Sequence, residues 1–307
     1  MLTRLGQHAI DAVRSGPWTN VYGLSRSLLA LSSLGTLLVT PPSQLFHVVV
    51  GADRVPICSE AAAVSLYCLV PGGNLVLAQI IAICVLLTVL SGWRPRLTAI
   101  PHWWVTFSFQ ASATVFDGGD QIASIVILLI TPIALTDSRR SHWSRSTRTI
   151  TSLEGLTRSA VAWSAVFVVR LQVAGLYLQA SVSKLGRPEW VDGTAVYYWL
   201  TDPRWGAPSW LLPVLQPILH TALGVALLTW SAIIIEFGLF LTLFFRGRTR
   251  IYWLIPGVLL HAGMAVSVGV VSFSLTMIGC LVLFLVPADR NLPIQLPTPP
   301  LTEKARS

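Results

Sequence analysis

Long runs of apolar residues without charge recur from one end of this 307-residue chain to the other. The chain is 53% hydrophobic and only 11% charged, about half of the charged fraction that is usual for soluble domains. A helix that crosses a bilayer needs roughly 20 such residues. The pattern therefore predicts an all-α fold, a polytopic helical membrane bundle. Eight transmembrane helices are predicted, at residues 21–39, 75–91, 101–116, 121–136, 159–183, 222–245, 251–270 and 271–286.

Basic residues are divided unevenly among the segments that connect the predicted spans. The chain has 21 Lys and Arg residues, and nearly all of those outside the spans fall in alternate segments. The opposite set of segments holds only Arg54, Lys184, Arg187 and Arg204. The positive-inside rule then places both termini in the cytoplasm and Lys184 on the outer side. This asymmetry also explains the net charge of +8 without a nucleic-acid partner.

Three segments outside the spans have distinct compositions. Residues 1–20 are polar and amphipathic, unlike a cleavable signal peptide, and are predicted to lie on the cytoplasmic leaflet. Residues 185–221 are rich in Trp and Tyr, which favour the membrane–water boundary, so short interfacial helices are expected there. Residues 287–307 are Pro-rich and are predicted to form a disordered cytoplasmic tail. Residues 21–286 would form the transmembrane domain.

Two of the four cysteines, Cys58 and Cys68, share one predicted outer segment. An oxidising environment favours a structural disulfide between them, and free thiols or a redox pair acting on a substrate are the alternatives. Because no histidine or second cysteine pair lies nearby in the sequence, no metal site is predicted. Cys84 and Cys280 fall within predicted spans and are assigned to packing.

One face of the fifth predicted span is polar. Arg170, Tyr177, Ser181 and Lys184 recur at intervals that place them along the same side of a helix. Because a charge inside the bilayer is costly, Arg170 is expected to face the bundle and to pair with Glu236.

Four polar residues fall at a similar predicted depth when each span is counted at about 1.5 Å per residue. They are Gln110, Arg170, Glu236 and His261. Two interpretations remain open. The layer is either an internal ion pair that orients helices or a site for a substrate or a proton.

The turn between the third and fourth predicted spans contains Asp117 and Asp120. Aspartate favours the N-cap of a helix, which accounts for Asp120, while Asp117 is a candidate partner for Lys184. A lysine beside apolar helices can act as a base. The alternative is a lysine that extends to the bilayer surface beside Trp190.

Several stretches resemble a known family. Residues Ala180-Ser-Val-Ser-Lys-Leu-Gly-Arg-Pro-Glu-Trp-Val-Asp-Gly193 resemble the lysine motif of HTTM membrane domains, the fold of vitamin K-dependent γ-carboxylase. The stretch from His261 to Met277 resembles the histidine-to-Phe-Ser motif of the same domain. Within that superfamily the chain is similar to the sporulation-delaying protein B (SdpB-like) family. The stretches that carry this second resemblance are Asn20–Arg26, Ser91–Pro95, His102–Val105, Asp117–Gln121 and Thr136–Arg139.

The resemblance implies roles for individual residues. In the carboxylase, the lysine of this motif deprotonates the reduced vitamin K, and Lys184 matches that base. His261 matches a histidine close to the same active site. From their positions in the sequence, and not from the resemblance, Asp117 and Asp120 are predicted to tune this base. The substrate pocket is predicted on the same ground, from Arg170, Glu236, Tyr177, Gln110 and Trp190.

The resemblance also implies a process. SdpB-like proteins serve the maturation or export of a secreted antimicrobial peptide toxin at a bacterial cell membrane. The expected partners are the bilayer, a peptide-toxin precursor and a small SdpA-like protein. A reduced quinone is a cofactor by analogy only. The alternatives are a carboxylase-like oxygenase that uses such a quinone, and a non-enzymatic scaffold, export or immunity component.

Overall fold

The computed structural model describes residues 2–48, 55–145, 149–245 and 249–293, which are mainly helical. These ranges contain no β-strand, and the all-α prediction is confirmed. Their α-helices are α1 (Leu2–Ser15), α2 (Asn20–Val39), α3 (Pro42–Leu45), α4 (Leu66–Leu69), α5 (Leu75–Leu90), α6 (Pro95–Ser112), α7 (Gly118–Thr136), α8 (Leu153–Leu185), α9 (Pro188–Val191), α10 (Ala195–Thr201), α11 (Leu212–Leu219), α12 (Ala222–Leu241), α13 (Leu254–Val268) and α14 (Val271–Leu285).

Several of these helices suit a bilayer. Five helical stretches are long and apolar enough to cross a membrane: α2, α7, α8, α12 with the turn that follows it, and α13 with the turn that precedes it. Helices α5 and α14 are apolar but shorter, and α6 has 18 residues of mixed character. A multi-pass membrane bundle is therefore confirmed. The count of eight spans and the cytoplasmic position of both termini stay predictions, because length and composition decide neither.

Helix ends differ from the predicted ones where a capping residue starts a helix early. Helix α8 begins at Leu153 instead of 159, because the Ser152 hydroxyl accepts a hydrogen bond from the Gly155 backbone N–H at 3.2 Å. Helix α6 begins at Pro95 instead of 101, since proline fits the first turn, where its missing N–H is not needed. Both helices are thus longer than the apolar run that marks them.

The two largest apolar cores of the described residues share α2. Helix α14 lies in the middle of the first, in contact with α2, α7, α8 and α13. Its residues Leu281, Leu283 and Phe284 are buried there. The second core lies between α2, α5 and α6 and extends into the segment around α4, with Leu34 and Phe109 among its buried residues. Helices surrounded in this way can be apolar on every face.

The segments outside the bundle are partly ordered. Cys58 and Cys68 are joined by a disulfide with their Cα atoms 5.8 Å apart, and the short helices α9, α10 and α11 occupy residues 185–221, where interfacial helices were expected. Cys280 is buried, whereas Cys84 is exposed and does not pack in the core.

The last described residues contact the start of α2. The Thr19 hydroxyl donates to the Ala288 carbonyl at 2.9 Å, and the Leu292 N–H donates to Asn20 Oδ1 at 2.7 Å. The predicted disordered tail of residues 287–307 is therefore anchored where it begins. Residues 294–307 lie outside the described residues.

Candidate functional site

Lys184 forms an ion pair with Glu236. The Lys184 Nζ atom is 2.7 Å from both Oε1 and Oε2 of Glu236, and it also donates to the Ala180 carbonyl at 3.3 Å. Only 20% of the lysine side chain and 11% of the glutamate side chain are exposed. The pair joins the last turn of α8 to the second half of α12, and these two helices pack against each other.

The direction of the Lys184 side chain follows from helix geometry. Side chains on a helix lean toward its N-terminus, so the ammonium lies over the preceding turn, where it contacts Ala180. The Trp190 ring lies 5.1 Å from Nζ, in the geometry of a cation–π contact. Lys184 therefore turns back along α8 into a contact between helices.

His261 and Tyr177 form a second polar pair next to the first. The Tyr177 hydroxyl and His261 Nε2 are 2.9 Å apart, with both residues buried. The other ring nitrogen of His261, Nδ1, is buried without a hydrogen bond in the described part of the chain. The Phe273 ring packs edge-on against the imidazole at a centroid distance of 5.7 Å. His261 lies near the charge of Lys184, and Tyr177 lies near the charge of Glu236, so the two pairs are neighbours.

Asp117 and Asp120 form a capping box at the start of α7. Asp117 Oδ1 accepts from the Asp120 N–H at 2.9 Å, and Asp120 Oδ2 accepts from the Asp117 N–H at 3.2 Å. The N-cap is therefore Asp117, and the prediction that Asp120 is the cap was wrong. Asp117 also accepts a hydrogen bond from the Ser272 hydroxyl. The suggested pair of Asp117 with Lys184 was wrong as well, since Glu236 takes that place.

The predicted layer of four polar residues does not form as one group. Arg170 donates to the Leu283 and Val286 carbonyls at 3.4 and 3.5 Å, so the predicted pair of Arg170 with Glu236 was wrong. These carbonyls lie at the end of α14, where backbone acceptors lack helical partners. Gln110 is half-buried on α6, which packs against α5 and α7. Of the four, only Glu236 and His261 belong to the Lys184 site.

Sequence reasoning gave Ser272 and Phe273 no role. The Ser272 hydroxyl donates a hydrogen bond to Asp117. A Cβ atom added to Gly119 would lie only 2.5 Å from the Phe273 Cα, which is too close for two carbon atoms that are not bonded. Glycine at 119 is therefore needed for α7 and α14 to approach each other. The available signal was the position of both residues in the stretch that follows His261.

The Lys184–Glu236 pair can exchange a proton. Transfer along the 2.7 Å hydrogen bond would give a neutral amine and a neutral carboxylic acid, which avoids two buried charges. The amine would then be a base, and Glu236 would hold the proton. Within the described ranges, no group of three or more His, Cys, Asp and Glu residues could hold a metal ion.

Known proteins align with this chain over nearly its whole length. It is 40% identical over 294 residues to "Uncharacterized protein YitO" of Bacillus subtilis (strain 168), which covers 95% of this chain and 93% of that protein. It is 34% identical over 278 residues to sporulation-delaying protein SdpB of the same strain, which covers 90% of this chain and 84% of SdpB. No protein-family model and no solved structure matches. Given this identity over most of both chains, the protein belongs to the family of sporulation-delaying protein SdpB.

Proposed function

We propose that this chain is a multi-pass protein of a bacterial cell membrane. Its function would be to convert a secreted peptide toxin of the sporulation-delaying type into its active form. It would act on the extracytoplasmic side, on a peptide-toxin precursor, together with a small SdpA-like protein. Membership of the SdpB family supports the process. The observation that carries the chemical part is the buried Lys184–Glu236 pair.

In this proposal Lys184 is the base. Glu236 accepts its proton, and the amine that remains removes a proton from the bound substrate. Trp190 and Ala180 hold the amine in place. The neighbouring Tyr177–His261 pair would supply a second route for a proton, because His261 Nδ1 has no hydrogen-bond partner among the described residues and could bond a substrate group. Asp117 acts through Ser272 and Phe273 as a positioning residue.

A reduced quinone comes into consideration by analogy with the carboxylase. The partnerless His261 Nδ1 and the rings of Phe273 and Trp190 are groups that suit a hydroxylated aromatic ring. When bound, such a cofactor would supply an acidic hydroxyl. The protein's own contribution would be to hold that ring and to accept the proton at Lys184.

The deciding experiment compares two replacements of Lys184 in a host that releases active toxin only when this protein is present. Lys184→Arg keeps a cation for Glu236 but cannot lose its proton, and Lys184→Ala removes both functions. A base at this position predicts that both variants reach the membrane and that neither supports toxin release. Arg187→Ala, which removes an exposed cation three residues further on, is the matched control and is expected to keep full output.

Other outcomes separate the alternatives. If Lys184→Arg restores full toxin release, the residue serves only the ion pair, and the catalytic part of the proposal is wrong. If Lys184→Ala also supports full toxin release at normal abundance, the protein is a scaffold or export component and not an enzyme that uses Lys184. An immunity role would instead be seen as death of the producing cells while toxin output continues.

A further inference from the structure

Four of the family stretches meet at a place far from Lys184. The stretches Asn20–Arg26, Ser91–Pro95, His102–Val105 and Thr136–Arg139 converge around Arg26, near the start of α2. Arg158, near the N-terminal end of α8, donates a hydrogen bond to the Thr136 carbonyl, which places that end of α8 beside these stretches. The helix rises about 39 Å between Arg158 and Lys184 at roughly 1.5 Å per residue. This second site is thus separate from the proposed catalytic one, and it does not depend on the proposed function.

The site is built from three elements. Arg26 lies one turn after Tyr22 on α2, and its NH2 group donates to the Thr98 carbonyl and to Thr98 Oγ1, both at 2.9 Å. His102 lies one turn after Thr98 on α6 and within electrostatic reach of Arg26. His142, in the segment after α7, places its Nε2 3.1 Å from Ser27 Oγ. We call Tyr22, Arg26, His102 and His142 the Arg26 cluster.

Each member of the Arg26 cluster has one polar atom without a partner. Tyr22 Oη, Arg26 NH1, His102 Nε2 and His142 Nδ1 make no hydrogen bond in the described part of the chain. All four residues are at most 1% exposed. Buried polar atoms are normally satisfied, because an unmade hydrogen bond is costly inside a protein. Four such atoms on neighbouring residues indicate a shared partner that lies outside the described residues.

The charge of the Arg26 cluster decides the kind of partner. No described carboxylate lies within ion-pair distance of Arg26. Asp137 is near enough to act on Arg26 electrostatically, but its oxygens accept from the Arg139 guanidinium at 2.8 to 3.2 Å. A buried guanidinium without a counter-ion attracts an anion and repels a cation. Two histidines and a tyrosine would otherwise suit a metal, and Arg26 argues against one.

The hydrogen-bond roles agree with an anion. The Ser27 hydroxyl can donate to His142 Nε2, which leaves the imidazole proton on Nδ1, the atom without a partner. Arg26 NH1 and the Tyr22 hydroxyl are donors too, and His102 Nε2 is a donor in one of its two tautomers. We propose that the Arg26 cluster binds one small monovalent anion, of the size and charge of chloride, between α2, α6 and the segment after α7.

The test uses the purified full-length protein in detergent. Its thermal unfolding is followed while chloride replaces gluconate at constant ionic strength and pH. We expect a saturable rise of the unfolding temperature with chloride, and the same rise with bromide. Tyr22→Phe removes one donor and should raise the half-saturating chloride concentration about tenfold. In crystals grown with bromide, an anomalous peak is expected beside Arg26.

A matched control is available in the other core. Tyr67 is also buried with an unpartnered hydroxyl, but it lies on α4. Tyr67→Phe should leave the chloride dependence unchanged. The proposal is overturned if wild type responds equally to chloride and gluconate, or if Tyr22→Phe keeps the wild-type half-saturation. Either result would mean that a buried water, or an anion bound elsewhere, accounts for the data. Arg26→Gln serves as a further variant if it folds.

Discussion

Two cations of the described residues, the fully buried Arg26 and the largely buried Lys184, are partnered in different ways. Lys184 has a counter-ion inside the protein, since both oxygens of Glu236 lie 2.7 Å from its ammonium. Among the described residues, Arg26 donates to neutral acceptors, the carbonyl and hydroxyl of Thr98. A buried charge is tolerated only when something compensates it. The charge of Lys184 is therefore compensated by a described residue, whereas that of Arg26 is not, and the proposed anion would compensate it.

This difference follows from how the acidic residues are distributed. Asp137 lies closest to the Arg26 cluster in sequence, but Arg139, two residues away, takes both of its oxygens. No second carboxylate then remains for Arg26 in the described part of the chain. In the part of the chain that the structure describes, Glu236 forms an ion pair with Lys184 and with no other cation. A paired charge of this kind suits proton transfer, and an unpaired one suits anion binding.

The largest effect on the contrast between Lys184 and Arg26 is expected when the counter-ion of Lys184 is removed. Glu236→Gln leaves a buried ammonium without a carboxylate, and breaking such a pair costs about 3–5 kcal/mol. We expect a lower free energy of unfolding by roughly this amount, measured by denaturant or thermal unfolding in detergent. The rise in unfolding temperature with chloride at the Arg26 cluster should be unaffected in the same preparation.

A double variant separates charge from chemistry in that experiment. Lys184→Met with Glu236→Leu removes both charges and fills the space, so most of the lost stability should return. Toxin release should not return, because the base is gone. A single Glu236→Gln variant as stable as wild type would show that the pair is not held in a low-dielectric environment, and the contrast with Arg26 would disappear.

A smaller effect is expected from the cap beside the site. Asp117→Ala removes the acceptor for the Asp120 N–H and for the Ser272 hydroxyl, and loss of an N-cap costs about 1–2 kcal/mol. Unfolding temperature and toxin release should fall together. Asp117→Asn keeps the oxygen that accepts from the Asp120 N–H, and its amide NH2 can donate to the Ser272 hydroxyl, so it should restore both. An Asn variant that is stable yet inactive would instead support the catalytic role that the sequence suggests for Asp117.

The sequence was sufficient for the class of fold and for part of the site. Hydropathy alone predicts helices, and the polar face of α8 predicts that Tyr177 and Lys184 point the same way, which they do. The hydrogen-bond and ion-pair partners of these side chains were more difficult to predict. Depth counted along straight spans matched Arg170 with Glu236, but α8 is 33 residues long and starts six residues before the predicted span. Relative offsets between helices depend on packing, which no single helix sequence contains.

Arg170 shows a second reason for failure. A cation within an apolar span is expected to pair with an acidic side chain, but backbone carbonyls at a helix end are acceptors as well. The last turn of α14 presents carbonyls without helical donors, and Leu283 and Val286 supply them to the guanidinium. Which helix end lies beside which side chain is a property of the assembled bundle. The Arg26 cluster escaped prediction for the same reason, because its members come from three separate elements.

The smallest expected effect is a pH dependence at the Arg26 cluster. Burial, with the charges of Arg26 and Arg139 nearby, holds the pKa of His142 well below its usual value. The unfolded chain therefore binds a proton near pH 6.5 that the folded chain does not, so stability falls as pH drops below that point. His142 alone is expected to contribute a loss of up to about 1.4 kcal/mol for each pH unit, in gluconate buffer so that no chloride is bound.

Comparison of variants assigns that loss to His142. Between pH 6.5 and 5, the free energy of unfolding of His142→Gln should fall less steeply than that of wild type, by the equivalent of one proton. His47→Gln, which replaces an exposed histidine near α3, should give a curve parallel to wild type. Parallel curves for His142→Gln would mean that His142 is charged in the folded protein. The Arg26 cluster would then hold two adjacent cations without a carboxylate, and its need for an anion would be greater still.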